Sequence, residues 1–361
     1  MMSIDPVSLT NGGITTFFVC VAIVLSGAVH GKLTFDHREG PQKLHVHPTP
    51  RVGGVALLIG LVVVFAYAPI PVRELLKPMV IGALPAFLLG LAEDLSRRVR
   101  WQERLMGTIC SGILIWWLTG VTVSRLDLPG VDLLFLAVPA LAVLFTAFAV
   151  GGLCNAFNMV DGVHGLSSGL ALIALVALGL IAQQHNDVVL AQLSFSIAAV
   201  VLGFLLVNFP AGKLFLGDGG AYLVGFMVAW VAILLPFRNA SVSPWASLLI
   251  CAYPVFEAVF SMLRRRARAH LPAHPDALHL HSLLCARLTR RLRGFLNVDL
   301  QNALVSPIIW LFAVLCALGA VTASHHTPSL VAMTLLAAMG YLAVYFSVIG
   351  FARRMARHRS A

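Results

Sequence analysis

Charge is what this sequence has least of. Only 11% of its 361 residues are charged, against 59% hydrophobic, and the mean hydropathy is +0.90. That leaves too little polar surface to cover a water-soluble globule of this size, so the expected solvent is lipid. Acidic residues are the scarcer sign, 15 against 25 Lys and Arg. A basic excess can mean a nucleic-acid partner, but here the basic residues fall in short gaps between apolar runs, which is a membrane-topology pattern and excludes that reading. The six cysteines form no C-x-x-C pair, so neither a disulfide framework nor a zinc site is indicated. A basic n-region with a small-residue cleavage site is also missing, so the first apolar run reads as a retained helix. With no low-complexity tract and no repeat, residues 1–361 read as one membrane-embedded domain.

Apolar runs fill most of what remains. Each needs about 17–25 residues to cross the hydrocarbon core. They lie near residues 14–30, 53–72, 78–93, 105–121, 133–150, 165–183, 189–208, 219–236, 244–263, 303–323 and 329–351, with Pro85 and Pro139 interrupting the third and fifth. The expected fold is all-α, a polytopic transmembrane helical bundle of about eleven spans. Alternating the loops places 21 of the 25 Lys and Arg on one side, in segments 31–52, 94–104, 151–164, 209–218, 264–302 and 352–361. The positive-inside rule makes that side cytoplasmic, with the N-terminus outside and the C-terminus inside.

The polar clusters gather on the same side. Residues 36–54 form a Pro-rich segment with His37, His45, His47, Lys43 and Arg51 that ends in Gly53-Gly54; it suits an anion such as a phosphate, or simply an anchor on lipid headgroups. Glu93 and Asp94 end an apolar helix, where the dipole and their mutual repulsion disfavour two carboxylates. A metal would relieve both, as would the neighbouring Arg97, Arg98, Arg100 and Arg104. Asn155, Asn158 and Asp161 recur every three residues in a loop without Lys or Arg, so one helical turn would align three oxygen-bearing side chains for a hard cation or a nucleobase. Capping and turn formation by Asp161 and the glycines explain the Asp but not both Asn. Asp218, in Phe215-Leu216-Gly217-Asp218-Gly219-Gly220, is either an N-cap or a ligand. His279 and His281 point the same way in an extended segment, where they can grip a phosphate or move a proton.

In order and in side, these clusters resemble the polyprenyl-phosphate N-acetylhexosamine-1-phosphate transferases of glycosyltransferase family 4, over about residues 30–285. Asn155 to Gly165 and Phe215 to Gly219 look strongly like the family's NAxNxxDGxxGL and FxGDxG motifs, and Lys43 to Gly54 looks like its KxHxxPTPxxGG segment. Each is weak alone; the ordered set is strong.

The resemblance implies a transfer of an N-acetylhexosamine-1-phosphate, of the GlcNAc-1-phosphate kind, from a UDP-sugar to undecaprenyl phosphate. UMP is released in a first membrane step of cell-envelope polysaccharide synthesis, at the cytoplasmic face of a bacterial inner membrane. It implies magnesium, with manganese as the substitute. Carried over by position, Asp218, Asn158 and Asp94 are the metal candidates. Glu93, Asp94, Asp161, His279 and His281 are the catalytic ones. Lys43, His45, Arg104, Asn155, Asn158 and His164 are the substrate-binding ones. A divalent cation fits the chemistry, because attack on a β-phosphate leaves charge on both products. Glu93 stands where the family has Asp, His164 where many members have Asp or Asn, and Ser282 where some have a further His. The last departure speaks against the phospho-N-acetylmuramoyl-pentapeptide transferase branch, the alternative within the class. A transporter is the alternative outside it, but its charges belong at mid-bilayer rather than at helix ends, and Glu257, the one candidate for a mid-helix carboxylate, reads as an interfacial or bundle-facing residue near a cytoplasmic end. Gly- and Ala-rich helices suit close packing within the chain or across a homodimer.

Overall fold

The computed structural model describes residues 4–36, 48–267, 278–291, 295 and 298–357. Lys43 and His45 lie outside the described residues. Helices α1 (Pro6–Leu25) and α2 (Gly27–Thr34) lead into a short antiparallel ladder of β1 (Phe35–Asp36) and β2 (Thr49–Pro50). Then come α3 (Gly53–Tyr67), α4 (Ile70–Ser96), α5 (Trp101–Thr119), α6 (Pro129–Ala137), α7 (Pro139–Val160), α8 (Leu166–Gln184), α9 (Val188–Asn208) and α10 (Gly217–Arg238). The chain continues through α11 (Pro244–Ile250), α12 (Ala252–Ala267), α13 (Leu280–Arg291), α14 (Val298–Ala303), α15 (Val305–Thr322) and α16 (Thr327–Arg357).

The protein is an all-α polytopic membrane protein. All eleven apolar runs fall on helices. Among the described residues, eight helical stretches are individually long and apolar enough to cross a bilayer: α1, α4, α7, α8, α9, α10, Leu300–Thr322 around α15, and α16. Helices α11 and α12 pass together but are bent by 77°, so they form a broken span or a re-entrant segment. The sequence treats 244–263 as one continuous run; the break at Cys251 comes three residues before Pro254, which has no N–H for the carbonyl of Ile250 and crowds it. Helix α3 has 15 residues, short for a span on its own.

Helix α10 is the axis of the bundle. Every residue from Gly217 to Leu235 is buried, as expected of a helix that is apolar all round. Helices α3, α4, α7, α8, α9 and α11 pack about it. Glycines set its distance from α3 and α4: a Cβ on Gly54 would meet Gly220 Cα at 2.5 Å, and one on Gly90 would meet Gly219 N at 2.5 Å. Small residues let backbones touch where apolar lipid offers no drive for helices to associate. Pro85 does not break α4, and the N–H of Ala86 beside it donates to Ser111 Oγ on α5 at 3.0 Å. Helix α1 starts eight residues before the predicted span, because Asp5 caps it through Val7 N and Ser8 N and Pro6 opens it.

Candidate active site

The close approach of α3, α4 and α10 brings their ends to one point. At the start of α10, Gly217 adopts φ +76°, a left-handed turn that a side chain resists, and a Cβ there would lie 2.5 Å from Asp94 Oδ2. Asp94, in the last turn of α4, spends both carboxylate oxygens on this helix start: Oδ1 accepts from Asp218 N at 2.8 Å and Oδ2 from Gly219 N at 3.0 Å. A carboxylate at the wrong end of its own helix thus sits at the favourable end of another. Asp218, next along, turns its side chain to two guanidinium groups. Arg51 Nη2 lies 3.1 Å from Asp218 Oδ1 and 3.2 Å from Asp94 Oδ1, bridging the two carboxylates. Arg104, from α5, donates to Asp218 Oδ2 through Nη1, and its Nε is buried with no hydrogen-bond partner among the described residues.

Glu93 lies within electrostatic reach of Arg104, Asp218 and Arg51 but does not point the way Asp94 does. Consecutive helical residues diverge by roughly 100°, and Glu93 Oε2 instead accepts from Val99 N at 2.9 Å, closing the turn after α4. The carboxylate that faces Asp94 is Asp218, across the interface. Asn155 and Asn158 lie in the last turns of α7, with Asp161 as its C-cap. The Asn155 amide donates to Thr108 Oγ1 at 2.9 Å and Gly151 O at 2.7 Å, fastening α7 to α5; Asn158 is half-buried. His164 is buried: its N–H donates to Asn302 Oδ1 at 2.9 Å, its Nδ1 lies 3.1 Å from Pro210 O, and its carbonyl accepts from Ser306 Oγ at 2.6 Å. Its present contacts hold the loop rather than open it to a ligand.

Asp161 is half-buried beside the Arg51–Asp94–Asp218 group. Burial, reinforced by the two neighbouring carboxylates and only partly offset by Arg51, pushes its carboxyl up to about 7. The fold therefore prefers the protonated form. Below the ordinary value near 3.8 this costs nothing, and the penalty grows as pH rises through about 7. Asp161→Asn should accordingly raise stability at pH 8 in chelator by of order 1 kcal/mol after solvent screening of a half-buried group, read as a higher melting temperature, and change it little at pH 4. Equal melting of variant and native chain at pH 8 would contradict the assignment.

His279 and His281 stand together, with rings stacked at 5.4 Å and 3°, but at the start of α13 rather than in the extended segment that their spacing suggests. His281 packs on the Asp161 loop, where a Cβ on Gly162 would meet its Nε2 at 2.6 Å. Burial pushes its imidazole down to about 4, leaving it neutral, with Glu257 opposing and His279 reinforcing the shift. Behind them lies Glu257, fully buried, bonded to His279 Nδ1 at 3.0 Å and to Tyr341 OH at 2.9 Å. The sequence suggests an interfacial or bundle-facing carboxylate here; its burial is complete because His279 and Tyr341 satisfy it.

A profile of glycosyl transferase family 4 matches residues 76–236. Over that stretch the chain is similar to the family. The chain is 28% identical over 287 residues to a probable undecaprenyl-phosphate N-acetylglucosaminyl 1-phosphate transferase of Bacillus subtilis, covering 75% of this chain and 77% of that one. It is 26% identical over 301 residues to the undecaprenyl-phosphate alpha-N-acetylglucosaminyl 1-phosphate transferase of Escherichia coli K12, covering 81% and 80%. A third relative of the same name, from Yersinia pestis, is 27% identical over 290 residues, covering 77% and 76%.

The family profile spans Asp94, Arg104, Asp161 and Asp218 but neither Arg51 nor the Glu257–His279–His281 group. Arg51 was visible in the sequence only as one of several basic residues; its place two residues before the Gly53-Gly54 contact with α10 was the usable signal. A cavity of about 590 Å³ lined by Val123, Phe145, Pro236, Phe237 and Trp245 lies at the other end of α10, roughly 28 Å from Asp218 at 1.5 Å per residue. It plays no part in this site.

Proposed function

We propose that this protein transfers an N-acetylhexosamine-1-phosphate from a UDP-sugar to undecaprenyl phosphate and releases UMP. The observation that carries the reading is the convergence of Asp94 and Asp218 with Arg51 and Arg104 at helix ends, within electrostatic reach of Asp161. The names of its relatives, which specify undecaprenyl phosphate and N-acetylglucosamine 1-phosphate, support it. The 21-to-4 distribution of Lys and Arg supports a cytoplasmic position for this end of the bundle, where nucleotide sugars are available.

In the reaction, an oxygen of the lipid phosphate attacks the β-phosphate of the UDP-sugar, and the bond to the α-phosphate breaks to release UMP. Arg51 and Arg104 already neutralise carboxylates here and are placed to exchange those for phosphate oxygens. Asp161, with its carboxyl near 7, can take the lipid phosphate's proton at neutral pH. The donor set also fits magnesium. Among the described residues no three His, Cys, Asp or Glu side chains converge on a metal cage, but magnesium uses one or two carboxylates and completes its shell with water and substrate phosphates. Asp218 would hold it, with Asp94 behind. The ion supplies charge neutralisation for the diphosphate.

A panel of UDP-sugars, assayed with purified protein and undecaprenyl phosphate for UMP release with and without magnesium, tests donor, acceptor and cofactor together. UDP-N-acetylglucosamine is expected to turn over only with magnesium and lipid. Accumulation of a solute across vesicles, with no UMP from any donor, would favour the transporter.

A further inference from the structure

Helix α12 carries one acidic residue in its apolar half, Glu257, and the fold buries it completely. A carboxylate removed from water is costly unless its lone pairs are answered. Here the answers come from His279 Nδ1 at 3.0 Å, Tyr341 OH at 2.9 Å, Leu280 N at 3.2 Å and, more weakly, Ser261 Oγ at 3.4 Å. Two of these four lie on the short stretch His279-Leu280-His281. The carbonyl just before it, Leu278 O, is held from the same side by Arg264 Nη1 at 2.9 Å and Tyr345 OH at 3.2 Å. Such a set of bonds fixes one short segment in position and in orientation. Because Nδ1 of His279 faces a carboxylate, the proton belongs on Nδ1, and Nε2 is left for another partner.

We propose that Glu257 is a positioning residue for the His279–His281 pair. Its carboxylate holds His279 as the Nδ1–H form and, with Tyr341, sets the parallel stack against the Gly162 backbone. His279 Nε2 is thereby free to meet a phosphate oxygen of the substrate. This rests on the transferase reading for the identity of the substrate, but the orientation itself does not. The two histidines then have separate tasks: His281 is the neutral spacer wedged on the Asp161 loop, and His279 is the ring that meets the substrate. The groups facing His279 are Glu257, Ser261 and Arg264 of α12, Tyr341 and Tyr345 of α16, and His281. Among these Glu257 is the one anion, so its removal lowers the affinity of His279 for a proton.

The experiment compares the native chain, Glu257→Gln, His279→Ala, the double variant and Tyr341→Phe. Glutamine keeps the shape and the acceptor while removing the charge. Expected is a loss of kcat of tenfold or more in Glu257→Gln with KM and melting temperature little changed. The pH limb of activity should move to lower pH, whether His279 works as acid or as base. The double variant should be no slower than His279→Ala alone. Tyr341→Phe, which leaves the charge in place, should keep the native limb. An unchanged limb in Glu257→Gln, or losses that multiply in the double variant, overturns the proposal. A second measurement needs neither activity nor the folding of Glu257→Gln: nitrogen NMR of histidine-labelled native protein, with the His279 signal found by its absence in His279→Ala. A proton on Nδ1 supports the proposal, and a bare Nδ1 overturns it. If no donor yields UMP while His279 carries its proton on Nδ1, the transferase reading fails and the positioning role stands.

Discussion

Asp218→Ala is expected to reduce UMP release by roughly 10³-fold, the scale of losing a principal electrostatic element of a phosphoryl-transfer site. The bundle should remain folded. Asp218 contributes its side chain to Arg51 and Arg104 and not to the capping of α10, which Asp94 performs through Asp218 N and Gly219 N. Both arginines keep about a quarter of their side chains exposed, 26% and 23%, so each can turn to water when the carboxylate goes. The stability change should stay within about 1 kcal/mol, as for other partly solvated ion pairs. Turnover assays paired with thermal melts separate the two effects. Full activity in a folded Asp218→Ala chain would remove Asp218 from the chemistry.

Gly90→Ala is expected to disable the enzyme by a different route. The added methyl would sit 2.5 Å from Gly219 N, 2.6 Å from Gly219 Cα and 2.7 Å from the carbonyl carbon of Asp218. All three are backbone atoms, so no rotamer change relieves the clash, and α4 must part from α10 at the point where Asp94 reaches across. Overpacking of this kind costs about 1–3 kcal/mol. A shift of roughly 1 Å between reacting groups can lower the rate by about 10²-fold. Gly152→Ala is the control: nothing lies within 4 Å of a Cβ there, and the helical propensity of alanine should leave it neutral or up to about 1 kcal/mol more stable. If both variants behave alike in melts and in turnover, the tight α4–α10 contact does not hold the site.

Hydrophobic runs made the helices easy to read, since length and apolarity are all a bilayer demands. What they could not register is how helices break. Pro139 separates α6 from α7 and Pro254 accompanies the bend between α11 and α12, whereas Pro85 stays within a continuous α4. A proline says that one donor is missing; whether the helix survives depends on neighbours that periodicity does not specify. Site residues followed the same division. The motifs carried Asp94, Asp161, Asp218, His279 and His281 as candidates, and the structure gathers the first three with Arg51. Glu93 was inseparable from Asp94 by position, yet the helical turn sends it to Val99 N. His164 and Asn155 looked like ligand contacts because they sit in a motif, but they bond to Pro210 O and Thr108 Oγ1. Glu257 was read as a bundle-facing or interfacial residue because its partners, His279 and Tyr341, lie 22 and 84 positions away.

The central claim concerns which bond is made and which is broken, and a labelled donor reads both. Purified protein in vesicles containing undecaprenyl phosphate is given magnesium and UDP-N-acetylglucosamine with phosphorus label at the β position. The account predicts that label and sugar move together into the lipid, in step with unlabelled UMP, and that neither moves in Asp218→Ala. Label left in a soluble nucleotide, or sugar reaching the lipid without the β-phosphate, would contradict it.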